Sequence, residues 1–89
     1  MLTVIMRILK GTKISQINKD ELLKTIEKFH HVTIDLGTGD GRFVYQNALT
    51  NPSNFYIGID PAAGQMEEYS KKSLKRKLEN ALYVVVSIE

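Results

Sequence analysis

Asp35-Leu36-Gly37-Thr38-Gly39-Asp40-Gly41 is the stretch that decides how this chain folds. Before it, Val32-Thr33-Ile34-Asp35-Leu36 is a short β-rich run. After it, Phe43, Val44, Ala48 and Leu49 recur at helical spacing until Asn51-Pro52-Ser53-Asn54 breaks the pattern with turn residues. Three alternating glycines between a strand and a helix let the backbone turn sharply and approach a ligand without interference from a Cβ atom. A dinucleotide fingerprint asks for glycine at the first, third and sixth positions, and here Arg42 holds the sixth. Alternate glycines after an acidic strand end suit instead a ligand bearing an ammonium group and a carboxylate, with Asp35 attracting the ammonium.

A second anchor follows at Asp60, nineteen positions after Gly41 (41 to 60), at the end of Phe55-Tyr56-Ile57-Gly58-Ile59. In folds of this kind a carboxylate at the tip of the second strand, about 20 residues past the glycine loop, accepts from the two hydroxyls of a ribose. Gly58 permits close helix–sheet packing. Loop, spacing and strand-terminal Asp together point to a nucleoside-containing ligand. The structural alternative is that Asp35 and Asp60 cap the helices that follow them.

Working outward, Pro61 suits the first turn after the second strand. Residues 65–78 are a helix candidate with a thin apolar stripe of Met66, Tyr69 and Leu74. Residues 81–88 read as a strand covered on both faces. Upstream, Asn18 and Glu21 have capping-box spacing, and Leu22, Leu23, Ile26 and Phe29 mark one face of a helix over about 19–29. Residues 3–17, with a turn at Lys10-Gly11-Thr12-Lys13, read as a β-hairpin or extended arm. The expected fold is α/β: a βαβαβ parallel sheet preceded by a helix and an N-terminal hairpin. Residues 1–17 form the arm and 18–89 the first half of a doubly wound domain, with one wall of a switch-point ligand site.

Composition sets the frame. With 89 residues, 43% hydrophobic and 25% charged, the chain is one small domain at most. No Cys means no disulfide and no thiolate metal site. The apolar opening, residues 1–9, is interrupted by Arg7 and is too short for a membrane span, so a cytoplasmic protein is expected. A formal charge of +2 does not by itself argue for nucleic acid. Lys71, Lys72, Lys75, Arg76 and Lys77 do so locally, against the plainer reading of a solvated helix face balanced by Glu67, Glu68 and Glu79. His30-His31 lacks metal-ligand spacing and reads as surface or as cations at a helix C-terminus. Tyr45, Tyr56, Tyr69, Tyr83 and Met66 fall inside elements and read as packing residues.

These residues resemble motifs I and II of the class I, S-adenosylmethionine-dependent methyltransferases, whose fold is Rossmann-like. More narrowly, three segments resemble the aminoglycoside-resistance methyltransferases that modify N1 of an adenine in the decoding site of small-subunit (16S) ribosomal RNA. These are Arg7-Ile8-Leu9-Lys10-Gly11-Thr12-Lys13, Ile34 through Arg42, and Phe55 through Pro61. The likeness runs from about Met6 onward. It implies S-adenosyl-L-methionine as cofactor, held by Asp35 at the methionine amino group, by Gly37 through close approach, and by Asp60 at the ribose, with Thr38 and Gly39 also among the cofactor-binding residues. Ile88 and Glu89 would flank the adenine, although Ser87-Ile88 is bulkier and more polar than the family's small residues. Lys10, Lys13, Lys71, Lys72 and Lys75 would meet RNA phosphates of the small ribosomal subunit.

Family members are longer, and the part beyond Glu89 would complete the adenine pocket and grip the target base. The chain is therefore expected to carry cofactor-site features, no catalytic residue and no turnover on its own. The rival reading is an inactive nucleoside-binding or self-associating module. In the family's sheet Val32–Leu36 lies centrally, so without its next neighbour it becomes an exposed edge through which two copies could pair.

Overall fold

The structure, a computed structural model, describes residues 5–86, with side chains from residue 6. Eight elements follow in order: β1 (Ile5–Lys10), β2 (Lys13–Asn18), α1 (Lys19–Ile26), β3 (Val32–Leu36), α2 (Arg42–Thr50), β4 (Phe55–Asp60), α3 (Ala63–Lys75) and β5 (Ala81–Val85). They build one five-stranded mixed sheet in the order β2-β1-β5-β4-β3. β3, β4 and β5 are parallel, as the alternation of strands and helices predicts. β1 pairs antiparallel with β5, Arg7 opposite Val85 and Ile8 opposite Val84, so the hairpin extends the sheet.

The period-two pattern sorts each strand between two cores. On one face Leu9, Tyr56, Tyr83 and Val85 pack with Val44 and Ala48 of α2 and Met66 and Tyr69 of α3. On the other, Ile8, Phe55, Ile57, Leu82 and Val84 pack with Leu22 and Ile26 of α1 and with Phe29. The capping box forms: the Glu21 N–H donates to Asn18 Oδ1 at 2.9 Å and the Asn18 N–H to Glu21 Oε1 at 3.1 Å.

Three expectations are corrected. The first helix stops at Ile26 rather than 29, because Phe29 leaves the helix and sets its ring edge-on to Phe55 with centroids 5.1 Å apart. The third runs Ala63–Lys75 rather than 65–78. It is closed by Lys77 at φ +55°, with the Leu78 N–H donating to the Ser73 carbonyl and the Lys77 N–H to that of Leu74, each at 3.0 Å. This is the Schellman pattern, with a lysine at a position that usually takes glycine. Finally, Leu74 is exposed, as are Phe43 and Leu49. The buried stripe of α3 is Met66, Tyr69, Ser70 and Ser73, and its two serines are paired. Ser70 Oγ donates to the Leu9 carbonyl (3.0 Å) and accepts from the Gly11 N–H (2.8 Å), and Ser73 Oγ lies 2.8 Å from the Tyr83 hydroxyl. Among the described residues no helix is long and apolar enough to cross a membrane.

Candidate functional site

The two acidic anchors lie near the C-terminal ends of adjacent strands, Asp35 opposite Gly58 and Asp60 two residues further along β4, and the loop between β3 and α2 is tied to both. Gly37 and Thr38 donate their N–H groups to the Ile59 carbonyl (2.8 and 3.1 Å), which brings the loop over the end of β4. Thr38 Oγ1 donates to Asp35 Oδ2 at 2.8 Å, and the Gly39 N–H donates to Asp60 Oδ2 at 3.0 Å. Asp60 Oδ1 accepts the Ala62 N–H at 2.9 Å, turning the chain into α3. Asp60 thus fixes the turn into α3 and holds the glycine loop, but neither α2 nor α3 has a side-chain N-cap, so the structural alternative of helix capping does not account for Asp35 or Asp60.

The glycines divide the labour. Gly37 and Gly39 have φ of +70° and +64°, which side-chain-bearing residues adopt at a cost, and a Cβ on either would meet nothing within 4 Å. The loop therefore presents bare backbone to open space, the condition for close approach of a ligand. Gly41 faces inward: a Cβ there would lie 2.6 Å from Tyr83 Cε1. On β4, a Cβ at Gly58 would sit 2.9 Å from the side chains of Thr38 and Val44, so this glycine lets the loop and α2 rest against the strand.

Around this cradle lies a polar ring unread in the sequence. Arg42 Nε donates to the Tyr69 hydroxyl at 3.1 Å, its guanidinium lies 3.7 Å from Asp40, and both contacts raise its pKa, the tyrosine bond most. Beneath, burial pushes the Tyr83 hydroxyl up to about 12, offset in part by its hydrogen bond to Ser73. Lone tyrosines and serines at helical spacing read as packing or surface, so only i, i+3 and i+4 matches to Met66 could have signalled this network.

Asp35, Gly37, Thr38, Gly39 and Asp60 thus come together. Ile88 and Glu89 lie outside the described residues, although the Val86 N–H donates to the Asp60 carbonyl (3.3 Å). The five lysines fall into two groups along α3. Lys10 and Lys13 flank the hairpin turn, which Ser70 clamps to α3. A Cβ on Gly11 would lie 3.7 Å from Lys71 Cγ, so the turn and Lys71 share one edge. Lys72 sits toward α2, bonded to Glu68 at 3.1 Å and 4.7 Å from the centre of the Tyr69 ring; the Glu68 bond raises its pKa. Lys72 also lines a shallow hollow with Lys75, Arg76 and Tyr45.

A wider hollow of about 600 Å³ opens at the opposite, N-terminal ends of the strands, beside Phe29, Pro52 and Leu78. Asn80 braces that end by donating to the carbonyls of Ala48, Asn51 and Asn54 at 3.0 to 3.1 Å. The hollow is lined by one carboxylate, Glu79, which lies 4.0 Å from Lys28 Nζ, and by no glycine. Among the described residues no group of three or more His, Cys, Asp or Glu side chains is placed to hold a metal ion.

Comparison with known proteins gives the family and the fold. A family model described as NpmA: 16S rRNA (adenine(1408)-N(1))-methyltransferase matches residues 7–89. A 16S rRNA (adenine(1408)-N(1))-methyltransferase of Escherichia coli is 46% identical over 88 residues, covering 94% of this chain and 40% of that protein. The crystal structure of a 30S ribosomal A1408 methyltransferase from an uncultured bacterium superposes with a TM-score of 0.87 at 43% identity, covering 92% of this chain and 40% of that one. A 16S rRNA (adenine(1408)-N(1))-methyltransferase mutant from Catenulisporales acidiphilia, with cosubstrate SAM, gives a TM-score of 0.84 at 27% identity over 94% of this chain and 43% of that one. The chain spans about two fifths of the length of these relatives.

Proposed function

Because the chain belongs to the family of 16S rRNA (adenine(1408)-N(1))-methyltransferases, we propose that its strand-end cradle holds S-adenosylmethionine for methyl transfer to N1 of an adenine in small-subunit rRNA. One observation carries this reading. Two carboxylates, Asp35 and Asp60, end adjacent parallel strands and are joined by a loop whose Gly37 and Gly39 leave open space above bare backbone. Those residues fit the group: an acidic pair for an ammonium and a ribose diol, and no Cβ between the loop and a ligand.

When bound, the cofactor would supply an electrophilic methyl group whose bond to sulfur breaks as the bond to the adenine nitrogen forms, S-adenosylhomocysteine leaving and the positive charge passing to the adenine, so that no general base is needed. The residues of this chain bind and orient. Asp35 attracts the methionine ammonium, Gly37 and Gly39 allow close approach, Thr38 fixes the loop, and Asp60 accepts from the ribose hydroxyls. Lys10, Lys13, Lys71, Lys72 and Lys75 contact RNA phosphates, supported by the hairpin turn and Lys71 meeting at one edge. A ribosomal substrate entails a cytoplasmic location. Gripping a flipped base takes contacts beyond this cradle, and the relatives are longer than these 89 residues.

Titration calorimetry with S-adenosylmethionine and S-adenosylhomocysteine, on the parent and Asp60→Ala, tests the site. The parent binds, and loss of two charge-assisted hydrogen bonds weakens the variant by at least about tenfold. Absence of binding, or binding indifferent to the substitution, contradicts the reading.

A second reading, a self-associating module, draws on β3. Val32, Ile34 and Leu36 are 40%, 57% and 77% exposed on the terminal strand of the described sheet. Antiparallel pairing of two β3 strands about Ile34 would join both apolar rows and set Thr33 of each copy opposite Asp35 of the other.

A further inference from the structure

Asp60 and Asp35 are held in different ways. Both Asp60 oxygens accept backbone N–H groups, from Gly39 and Ala62, so its carboxylate is oriented by the main chain. Asp35 has one bond from the protein among the described residues, from the Thr38 hydroxyl to Oδ2, and Oδ1 has none. Thr38 is itself buried, 9% exposed, and offers a ligand little surface. Its backbone is fixed independently of its hydroxyl: its N–H donates to the Ile59 carbonyl and its carbonyl accepts from the Gly41 N–H at 3.2 Å. Its side chain lies flush against β4 at Gly58, where an added Cβ would be 2.9 Å from both Cγ2 and Oγ1.

We propose that Thr38 is a positioning residue that acts through Asp35: its hydroxyl holds Oδ2 and so turns Oδ1 to the ammonium of the cofactor's amino-acid end, leaving the nucleoside end to Asp60. This rests on the cofactor reading above and adds a division of labour to it. One loop side chain sets recognition of the amino-acid end, and the main chain sets recognition of the ribose. A carboxylate with an unrestrained torsion spreads its charge over several directions, whereas one held by a donor at 2.8 Å spends none of a ligand's binding free energy on ordering.

The test pairs two ligands with two variants. Calorimetry on the 89-residue chain compares S-adenosylhomocysteine with its deaminated analogue, in which the homocysteine ammonium is replaced by hydrogen. Thr38→Val keeps the shape that rests on Gly58 and the backbone bonds but removes the hydroxyl; Thr38→Ser keeps the hydroxyl. Thr38→Val is expected to weaken S-adenosylhomocysteine by about tenfold, the usual scale for a hydrogen bond to a charged group, and to leave the deaminated analogue within about twofold. Thr38→Ser binds both as the parent does. Equal losses for the two ligands, or no loss for either, overturn the role of Thr38 while leaving the cofactor site standing. Failure of the parent to bind either ligand overturns the cofactor reading and this inference with it.

Discussion

β3 and β4 are neighbouring parallel strands of similar character, Val32-Thr33-Ile34-Asp35-Leu36 beside Phe55-Tyr56-Ile57-Gly58-Ile59-Asp60, each with a carboxylate near its end. Their surroundings differ. β4 lies between β3 and β5 with a core on each face, and Phe55 is 1% exposed. β3 has one neighbour in the described sheet, and Leu36 is 77% exposed. A strand's burial is thus decided by what flanks it, and two β-rich runs of similar apolar content can carry very different shares of the stability. Yet both ends are ordered, because the glycine loop bonds across from one strand to the other. Site geometry and stability are supported by different contacts.

The largest expected contrast comes from truncating the two strands in turn. Phe55→Ala removes a fully enclosed ring that also meets Phe29, and should cost about 3–5 kcal/mol in urea unfolding. Ile34→Ala should cost less than about 1 kcal/mol. Similar losses at both positions would mean that β3 is covered in solution.

A smaller effect lies beneath the loop. Burial pushes the Tyr83 hydroxyl up to about 12 in the folded chain, above the ordinary tyrosine value of about 10. The neutral form is therefore favoured by folding. Its contribution is complete below pH 10 and is lost as pH rises from 10 toward 12, because the unfolded chain releases that proton first. Tyr83→Phe should cost about 1 kcal/mol at neutral pH through the lost Ser73 bond. It should also flatten the alkaline limb of the stability curve; an unchanged limb would deny the burial of that hydroxyl.

The smallest effect on folding is expected at Leu36→Lys, within about 0.5 kcal/mol of the parent. In sedimentation velocity at high concentration the same substitution should convert a self-associated parent to monomer, as a charge on an open edge does. A parent that is monomeric throughout removes the self-associating reading.

The site was more legible in the sequence than the architecture around it. Asp35, the alternating glycines and Asp60 act through local backbone conformation and strand ends, which spacing reveals. The pairing of β1 with β5 joins residues some seventy-eight positions apart (7 to 85), with no local mark beyond β-propensity. The buried face of α3 was obscured because Ser70 and Ser73 occupy core positions, satisfied by the hairpin turn and by Tyr83. Its end was obscured because a lysine, Lys77, takes the left-handed turn where glycine is the usual signal. The hold of Thr38 on Asp35 needed coordinates, since a threonine between glycines looks the same whether its hydroxyl meets solvent or a carboxylate.

The central claim, that the ligand binds over the glycine loop at the C-terminal ends of the strands, is tested most directly by amide NMR of the labelled chain titrated with S-adenosylhomocysteine. Saturable shifts are expected at Gly37, Thr38, Gly39, Asp60 and Ala62, with the amides of Phe29, Ser53 and Asn80 at the opposite end unmoved. Shifts centred on that opposite hollow, or none at saturating ligand, would contradict it.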